Sequence, residues 1–271
     1  MKYIFLDIDG TLVNREGKLP GSAREALIRA KSRGHKLILA TGRCKGQIYP
    51  WLLDMVEFDG ILGSSGANVH WHGKRVFSRF MDRDALLTLE EKYRAVGAYA
   101  CWHLEDHLIS SPEDFPRVLA LFRRCGVSES EIDTLFGGIE LVTVHDTPDV
   151  EKSVYFDSGR PLEFMRAHLG AGYLIDPYSY PGVPSTAGEV TLGGVNKALG
   201  VRALCEYLGA DLADTVAFGD GGNDESMLGA VHTGVAMGNA GDALKALADM
   251  VTDPIDEDGL YKGFERLGLL G

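Results

Sequence analysis

Four short runs decide most of what this chain can become: "YIFL" at residues 3–6, "KLILA" at 36–40, "GILG" at 60–63 and "TVAFG" at 215–219. Each is apolar almost throughout and ends at a polar or glycine-rich turn. A strand of that texture does not alternate between core and water, so it belongs in a sheet covered on both faces. Helix patterns lie between the runs. "SAREALIRAKSRG" opens with Ser22 and Glu25 at capping-box spacing, stops at Gly34, and sets Ala23, Ala26, Leu27 and Ala30 on one face. "NKALGVRALCEYLG" aligns Val201, Leu204, Cys205 and Leu208, and "HTGVAMGNAGDALKALA" adds another strand and helix. Buried strands alternating with amphipathic helices predict an α/β fold with a doubly wound parallel sheet, that is, a Rossmann-like core.

With 271 residues the chain is near the size at which one core stops growing and a second domain is expected. The stretch from Arg83 to Val190 has the texture of one. It carries a helix pattern from about Asp84 to Val96, strand-like runs "AYACWHL", "ELVTVH" and "SVYFD", and the loop "DPYSYPGVPSTAG". The expected organisation is therefore a discontinuous core, 1–82 and 191–271, with an inserted α+β cap domain at 83–190. Trp102, His103, Tyr178 and Tyr180 fall inside the insertion, where packing is the more ordinary role for such side chains.

The charge balance excludes some partners. Lys plus Arg is 27 against 39 for Asp plus Glu, a net charge of −12, which argues against binding a nucleic acid polymer through a broad basic surface. A small anionic ligand remains compatible, provided a locally positive pocket or a cation receives it. Cys44, Cys101, Cys125 and Cys205 are far apart and form no CxxC pair, and the eight histidines show no ligand spacing. No signal-peptide pattern opens the sequence, and no apolar run reaches the roughly 20 residues of a membrane helix. A cytoplasmic protein without membrane contact is the expectation. Oligomeric state is not legible.

Four polar constellations carry chemistry. In "DIDGT", Asp7 and Asp9 follow the first strand, where the carboxyl edge of an α/β sheet receives ligands. Two carboxylates there can share a Mg²⁺, whose charge cancels their repulsion, and one can attack phosphorus while the other moves protons. The ordinary alternative is an acidic turn. Thr41-Gly42-Arg43 follows the second strand, and a hydroxyl with neighbouring backbone N–H groups can hold phosphoryl oxygens, or simply make a polar turn. Asn196-Lys197 opens a helix, where a lysine is unfavourable unless something negative faces it. In "GDGGND", Asp220 and Asp224 offer oxygen ligands to a hard cation and Asn223 offers hydrogen bonds. The G-x-G-x-x-G pattern fails there because Asp224 takes the last glycine position, and no Walker A motif occurs.

Taken in order, "DIDGTL", "TGR", the lysine of "GGVNKALG" and "GDGGND" resemble the four motifs of the haloacid dehalogenase-like hydrolases, and most closely their Cof-type phosphatase group. "GEVTLGG", "VAMGNA" and "VTDPIDEDGL" extend the resemblance over the whole chain. It implies that Asp7 is the nucleophile that forms an aspartyl-phosphate, and that Asp9 is the general acid and base and also lends its backbone carbonyl to Mg²⁺. It further implies that Thr41, Gly42 and Lys197 hold the phosphoryl group, that Asp220 completes the metal site with Asp224 behind it, and that Asn223 touches the phosphate or orders its loop. Arg43 is a candidate substrate contact. One departure stands out: related sequences usually have Asn-Gly-Ala after the third strand, where this chain has Ser65-Gly66-Ala67.

The activity so implied is Mg²⁺-dependent hydrolysis of small phosphate monoesters, with sugar phosphates and flavin or nucleotide monophosphates as the substrate classes. A phosphomutase would use the same chemistry. A phospho-accepting signalling module also combines acids, a hydroxyl and a lysine, but is about half this length and lacks an insertion. A binding protein with vestigial catalysis is the remaining alternative, although no candidate catalytic position is lost.

Overall fold

The computed structural model describes every residue except Ser179 and Pro181. Strands β1 (Tyr3–Leu6), β2 (Lys36–Ala40), β3 (Gly60–Gly63), β4 (Asn68–Trp71) and β5 (Lys74–Ser78) come first. A second sheet follows, made of β6 (Tyr99–His103), β7 (Leu108–Ser110), β8 (Glu140–Leu141), β9 (Lys152–Phe156), β10 (Tyr173–Pro177) and β11 (Gly188–Leu192). The chain then returns to the first sheet with β12 (Thr215–Gly219), β13 (Thr233–Ala236) and β14 (Met250–Val251). It divides into two compact units: Met1–Gly42, Ile48–Phe77 and Asn196–Gly271 form one, and Arg43–Gln47 with Ser78–Val195 form the other.

The first unit is built on the order β14-β13-β12-β1-β2-β3-β4-β5, parallel from β14 through β3, with β4 turning back antiparallel on β3. Its central strands show why they are wholly apolar. Ile4, Leu6, Leu37, Leu39, Val216 and Phe218 point into one cluster, against the helix Gly21–Ser32 through Ala23, Ala26, Leu27 and Ala30 and the helix Gly259–Arg266 through Leu260 and Phe264. Phe5, Ile38, Ala40 and Ala217 point into the opposite cluster, against Val201, Leu204 and Cys205 of the helix Lys197–Leu208. Both faces are buried, so the period-two alternation leaves no polar side. Each fully buried large aliphatic or aromatic side chain contributes about 1.5–3 kcal/mol.

The second unit is an α+β insertion with strand order β10-β11-β9-β6-β7-β8, antiparallel apart from the β7–β8 pair. Ala100, Trp102 and Tyr155 face the helices Arg83–Ala95 and Leu162–Leu169, while Tyr99, Cys101, Val154 and Phe156 face Phe115–Arg124 and Glu129–Phe136. Trp102 belongs to the first of these clusters, His103 is buried, and the rings of Tyr178 and Tyr180 pack on Phe122. Among the described residues, no helix is long and apolar enough to cross a membrane.

Three expectations change. Ser22 and Glu25 form no capping box: the helix begins at Gly21 with Pro20 as its N-cap and no side-chain cap bond, and Glu25 instead lies 3.5 Å from Arg29. "ELVTVH" is a strand only at Glu140–Leu141, because its partner β7 ends at Ser110, just before Pro112; Val142 makes one more bond to Ser110 and Val144–Asp146 winds into a 3₁₀ turn. The expected loop "DPYSYPGVPSTAG" begins inside β10, and its Ser179 and Pro181 lie outside the described residues.

After β3 the chain passes through three successive positive φ angles, Ser64 at 47°, Ser65 at 58° and Gly66 at 90°. At Gly66 a Cβ would stand 2.3 Å from the Asn196 carbonyl oxygen, so only glycine lets this turn meet the start of the helix Lys197–Leu208. Position 65 needs a left-handed residue, a conformation that Asn tolerates better than Ser. Ser65→Val, which puts a β-branched residue there, is expected to cost about 2 kcal/mol in urea unfolding, whereas Ser65→Asn stays within about 1 kcal/mol of the parent.

Candidate active site

Four side chains meet at the carboxyl edge of the first sheet. The backbone N–H of Asp7 still donates to the Phe218 carbonyl at 3.1 Å, which keeps Asp7 in line with β1 and sends its carboxylate off the strand end. One strand over, Asp220 follows Gly219, the last residue of β12. Gly219 is required because a Cβ would stand 2.5 Å from Asp224 Cγ. That closeness lets Asp224 fold back on its own turn: its Oδ2 accepts the N–H groups of Asp220 at 3.0 Å and Gly221 at 2.9 Å. Lys197 reaches the same place from the first position of its helix, capped by Asn196, whose Oδ1 accepts the Leu199 N–H at 3.0 Å. The strand before it, β11, belongs to the second sheet, so this lysine enters from the helix start at which the sequence placed it.

The Lys197 ammonium is fully buried and donates to Asp7 Oδ1 and Asp224 Oδ1, both at 2.6 Å. Burial pulls the ammonium down, but Asp224 and Asp7 outweigh it and hold the group above its ordinary value. Asp7 is nevertheless pushed well above the usual carboxylate range. Burial is the largest cause, the Asp224 carboxylate adds to it, Lys197 opposes it, and Asp220 and Asp9 add the rest. The two directions are compatible because one ammonium is shared between two acids and four carboxylates act on the cluster. Asp220 rises to about 7, again by burial first and Asp224 second.

The site is therefore short of positive charge. Asp7, Asp220 and Asp224 present oxygens that lie within 4.8 Å of one another. An all-carboxylate donor set beside surplus negative charge fits a hard divalent cation. Gly10 makes room for that set: its φ is 86°, and a Cβ there would stand 2.1 Å from Asp220 Oδ2.

The remaining candidates are placed less tightly. Asp9 is exposed, and its Oδ1 accepts from the Tyr49 hydroxyl at 3.3 Å. Thr41 is buried directly after β2, its N–H donating to the Leu62 carbonyl and its carbonyl accepting from the Ser65 N–H. Gly42 closes that segment of the first unit, and Asn223 sits half-buried in the 3₁₀ turn Gly222–Asp224. Arg43 belongs to the second unit, where Nη1 donates to the Gln47 carbonyl at 3.3 Å. Sequence reasoning missed two residues, Tyr49 and Asn239. Asn239 Nδ2 donates to the Gly10 carbonyl and to Asp220 Oδ2; the only signal for it was its place in "VAMGNA".

Known proteins resemble this chain over nearly its whole length. A family model described as haloacid dehalogenase-like hydrolase matches residues 4–264. The putative phosphatase YkrA of Bacillus subtilis (strain 168) is 29% identical over 270 residues, covering 99% of this chain and 98% of YkrA. From the same organism, the 5-amino-6-(5-phospho-D-ribitylamino)uracil phosphatase YwtE is 26% identical over 284 residues, covering 98% of each chain. Among solved structures, the subclass IIB sugar phosphatase BT4131 matches with a TM-score of 0.80 at 27% identity, covering 99% of this chain and 100% of that one.

Proposed function

We infer that this chain, which belongs to the haloacid dehalogenase-like hydrolase family and is a phosphatase, hydrolyses small phosphate monoesters of polyhydroxylated alcohols, with Asp7 as nucleophile and Mg²⁺ as cofactor. The observation that carries the reading is the Lys197 ammonium held at 2.6 Å between Asp7 and Asp224, with the Asp220 carboxylate beside them. A buried lysine that spans two acids costs desolvation on all three groups, an arrangement better explained by chemistry than by stability.

An Asp7 oxygen attacks phosphorus as the ester P–O bond breaks, and Asp9 gives a proton to the leaving oxygen. Asp9 then takes a proton from water as that water attacks phosphorus, which frees phosphate and restores the Asp7 carboxylate. Lys197 and the Thr41 hydroxyl hold phosphoryl oxygens through both steps, and Asn223 donates from its turn. Asp224, whose Oδ1 and Oδ2 already accept three hydrogen bonds, keeps Lys197 and the Asp220 turn in place. Asp7, Asp220 and the main-chain carbonyl of Asp9 would hold the Mg²⁺, which when bound would supply the positive charge that keeps Asp7 ionised beside an incoming phosphate. Support for the substrate class comes from YwtE and BT4131, whose names specify a ribityl phosphate and a sugar phosphatase.

The test is phosphate release from a panel of sugar phosphates, flavin mononucleotide and nucleoside monophosphates, with Mg²⁺ and with EDTA. Removal of the metal is expected to slow turnover of the best ester at least about a hundredfold, restored by added Mg²⁺. Equal rates in EDTA would refute the cofactor, and an inert panel would refute the substrate class.

A further inference from the structure

Asn239 stands in the loop after β13, exposed to solvent, yet both donors and the oxygen of its amide are engaged. Nδ2 donates to the Gly10 carbonyl at 2.9 Å and to Asp220 Oδ2 at 3.2 Å, while Oδ1 accepts the Ile255 N–H at 3.0 Å. The orientation is unambiguous, because a carbonyl only accepts and a backbone N–H only donates. The loop that carries it is fixed by the two residues before it. Met237 N–H donates to the Gly219 carbonyl at 2.9 Å, Gly238 N–H donates to the Asp253 carbonyl at 3.0 Å, and a Cβ on Gly238 would stand 2.4 Å from Pro254 N.

Exposed hydrogen bonds add little stability and cost side-chain entropy to hold. What this amide does is geometric. Of the two groups that Nδ2 meets, one is the Asp220 carboxylate and the other is the main chain immediately after Asp9. It ties together the two turns that carry the candidate ion ligands, one after β1 and one after β12.

We propose that Asn239 is a positioning residue for the ion site: it fixes the rotation of the Asp220 carboxylate and its separation from the Asp7–Gly10 turn. The proposal rests on the reading of Asp7 and Asp220 as ion ligands. Asn239 acts through Asp220 and touches no substrate. Outer partners of this kind change metal affinity by about 10- to 100-fold.

Mg²⁺ titrated into the substrate-free protein, followed by calorimetry and by the rise in melting temperature, tests the proposal beside the Mg²⁺ dependence of kcat. Asn239→Ala is expected to move all three midpoints to at least about tenfold higher Mg²⁺, with kcat at saturating Mg²⁺ within about threefold of the parent. A residue that merely braces its loop would lower the melting temperature in EDTA and leave the midpoints where they were; that result overturns the proposal. Asn239→Ser, too short to reach Asp220, carries the same expectation if the alanine variant does not fold. Should the parent itself show no response to Mg²⁺, the ion site falls and Asn239 with it. A responsive parent with an unmoved variant overturns the Asn239 role alone.

Discussion

Asp7→Asn is expected to lower kcat by at least about 10⁴-fold, or about 5 kcal/mol of barrier, on whichever ester the protein turns over best. The two side chains have the same shape, and the amide oxygen can still accept from Lys197. What disappears is the nucleophile. Stability should move the other way or not at all. The Asp7 carboxyl sits in a buried site beside three other acids and is pushed well above the usual range, so a neutral isostere removes a repulsive charge from the folded state. In EDTA the variant is expected to unfold at the same or a higher urea concentration than the parent. Turnover and urea midpoints measured on one preparation separate loss of chemistry from loss of fold. Mass spectrometry must exclude deamidation back to Asp, which would restore activity. Full activity in the Asp7→Asn variant, once its mass is verified, removes Asp7 from the mechanism.

Parts of this site were legible in the sequence for a simple reason. Asp7 and Asp220 stand next to apolar runs, and a charge that follows a buried strand must emerge at the sheet edge. The helix face Ala23, Ala26, Leu27 and Ala30 was legible because burial selects a helical period. Lys197 showed itself by its cost, a cation at the positive end of a helix. The features that escaped depend on pairs far apart along the chain. Asn239 and Gly10 are 229 residues apart, and Tyr49 and Asp9 are 40 apart, so no local pattern links them. The strand at "ELVTVH" failed for the same reason, since its length is set by where β7 stops and not by its own residues. At Ser22 and Glu25 the spacing was right, but Pro20 had already started the helix. Ser65 is a different case: the departure from Asn was visible, while the positive φ that favours Asn was not.

Lys197→Met should harm the protein twice. The side chain is similar in length and apolar, so the buried cavity stays filled while the ammonium is lost from between Asp7 and Asp224. Removing one partner of a buried ion pair leaves uncompensated charge, a loss of about 3–5 kcal/mol. The pH dependence follows from Asp7, whose folded-state value already lies above its ordinary 3.8 with Lys197 opposing the rise. Without the lysine it rises further. A carboxyl raised in the folded state weakens folding once pH exceeds its unfolded value, because the unfolded chain then ionises more freely. The deficit against the parent, measured by urea unfolding in EDTA, is therefore expected to be smallest near pH 4 and to grow toward neutrality. Mg²⁺ should recover part of this stability, since a cation among the same oxygens replaces some of the lost charge. It should not recover turnover: the phosphoryl oxygens lose a fixed cation, and kcat/KM is expected to fall at least about 10³-fold even in saturating Mg²⁺. A variant that is fully active, or equally stable at both ends of that pH range, would mean that the ammonium between the two acids neither balances them nor meets the substrate.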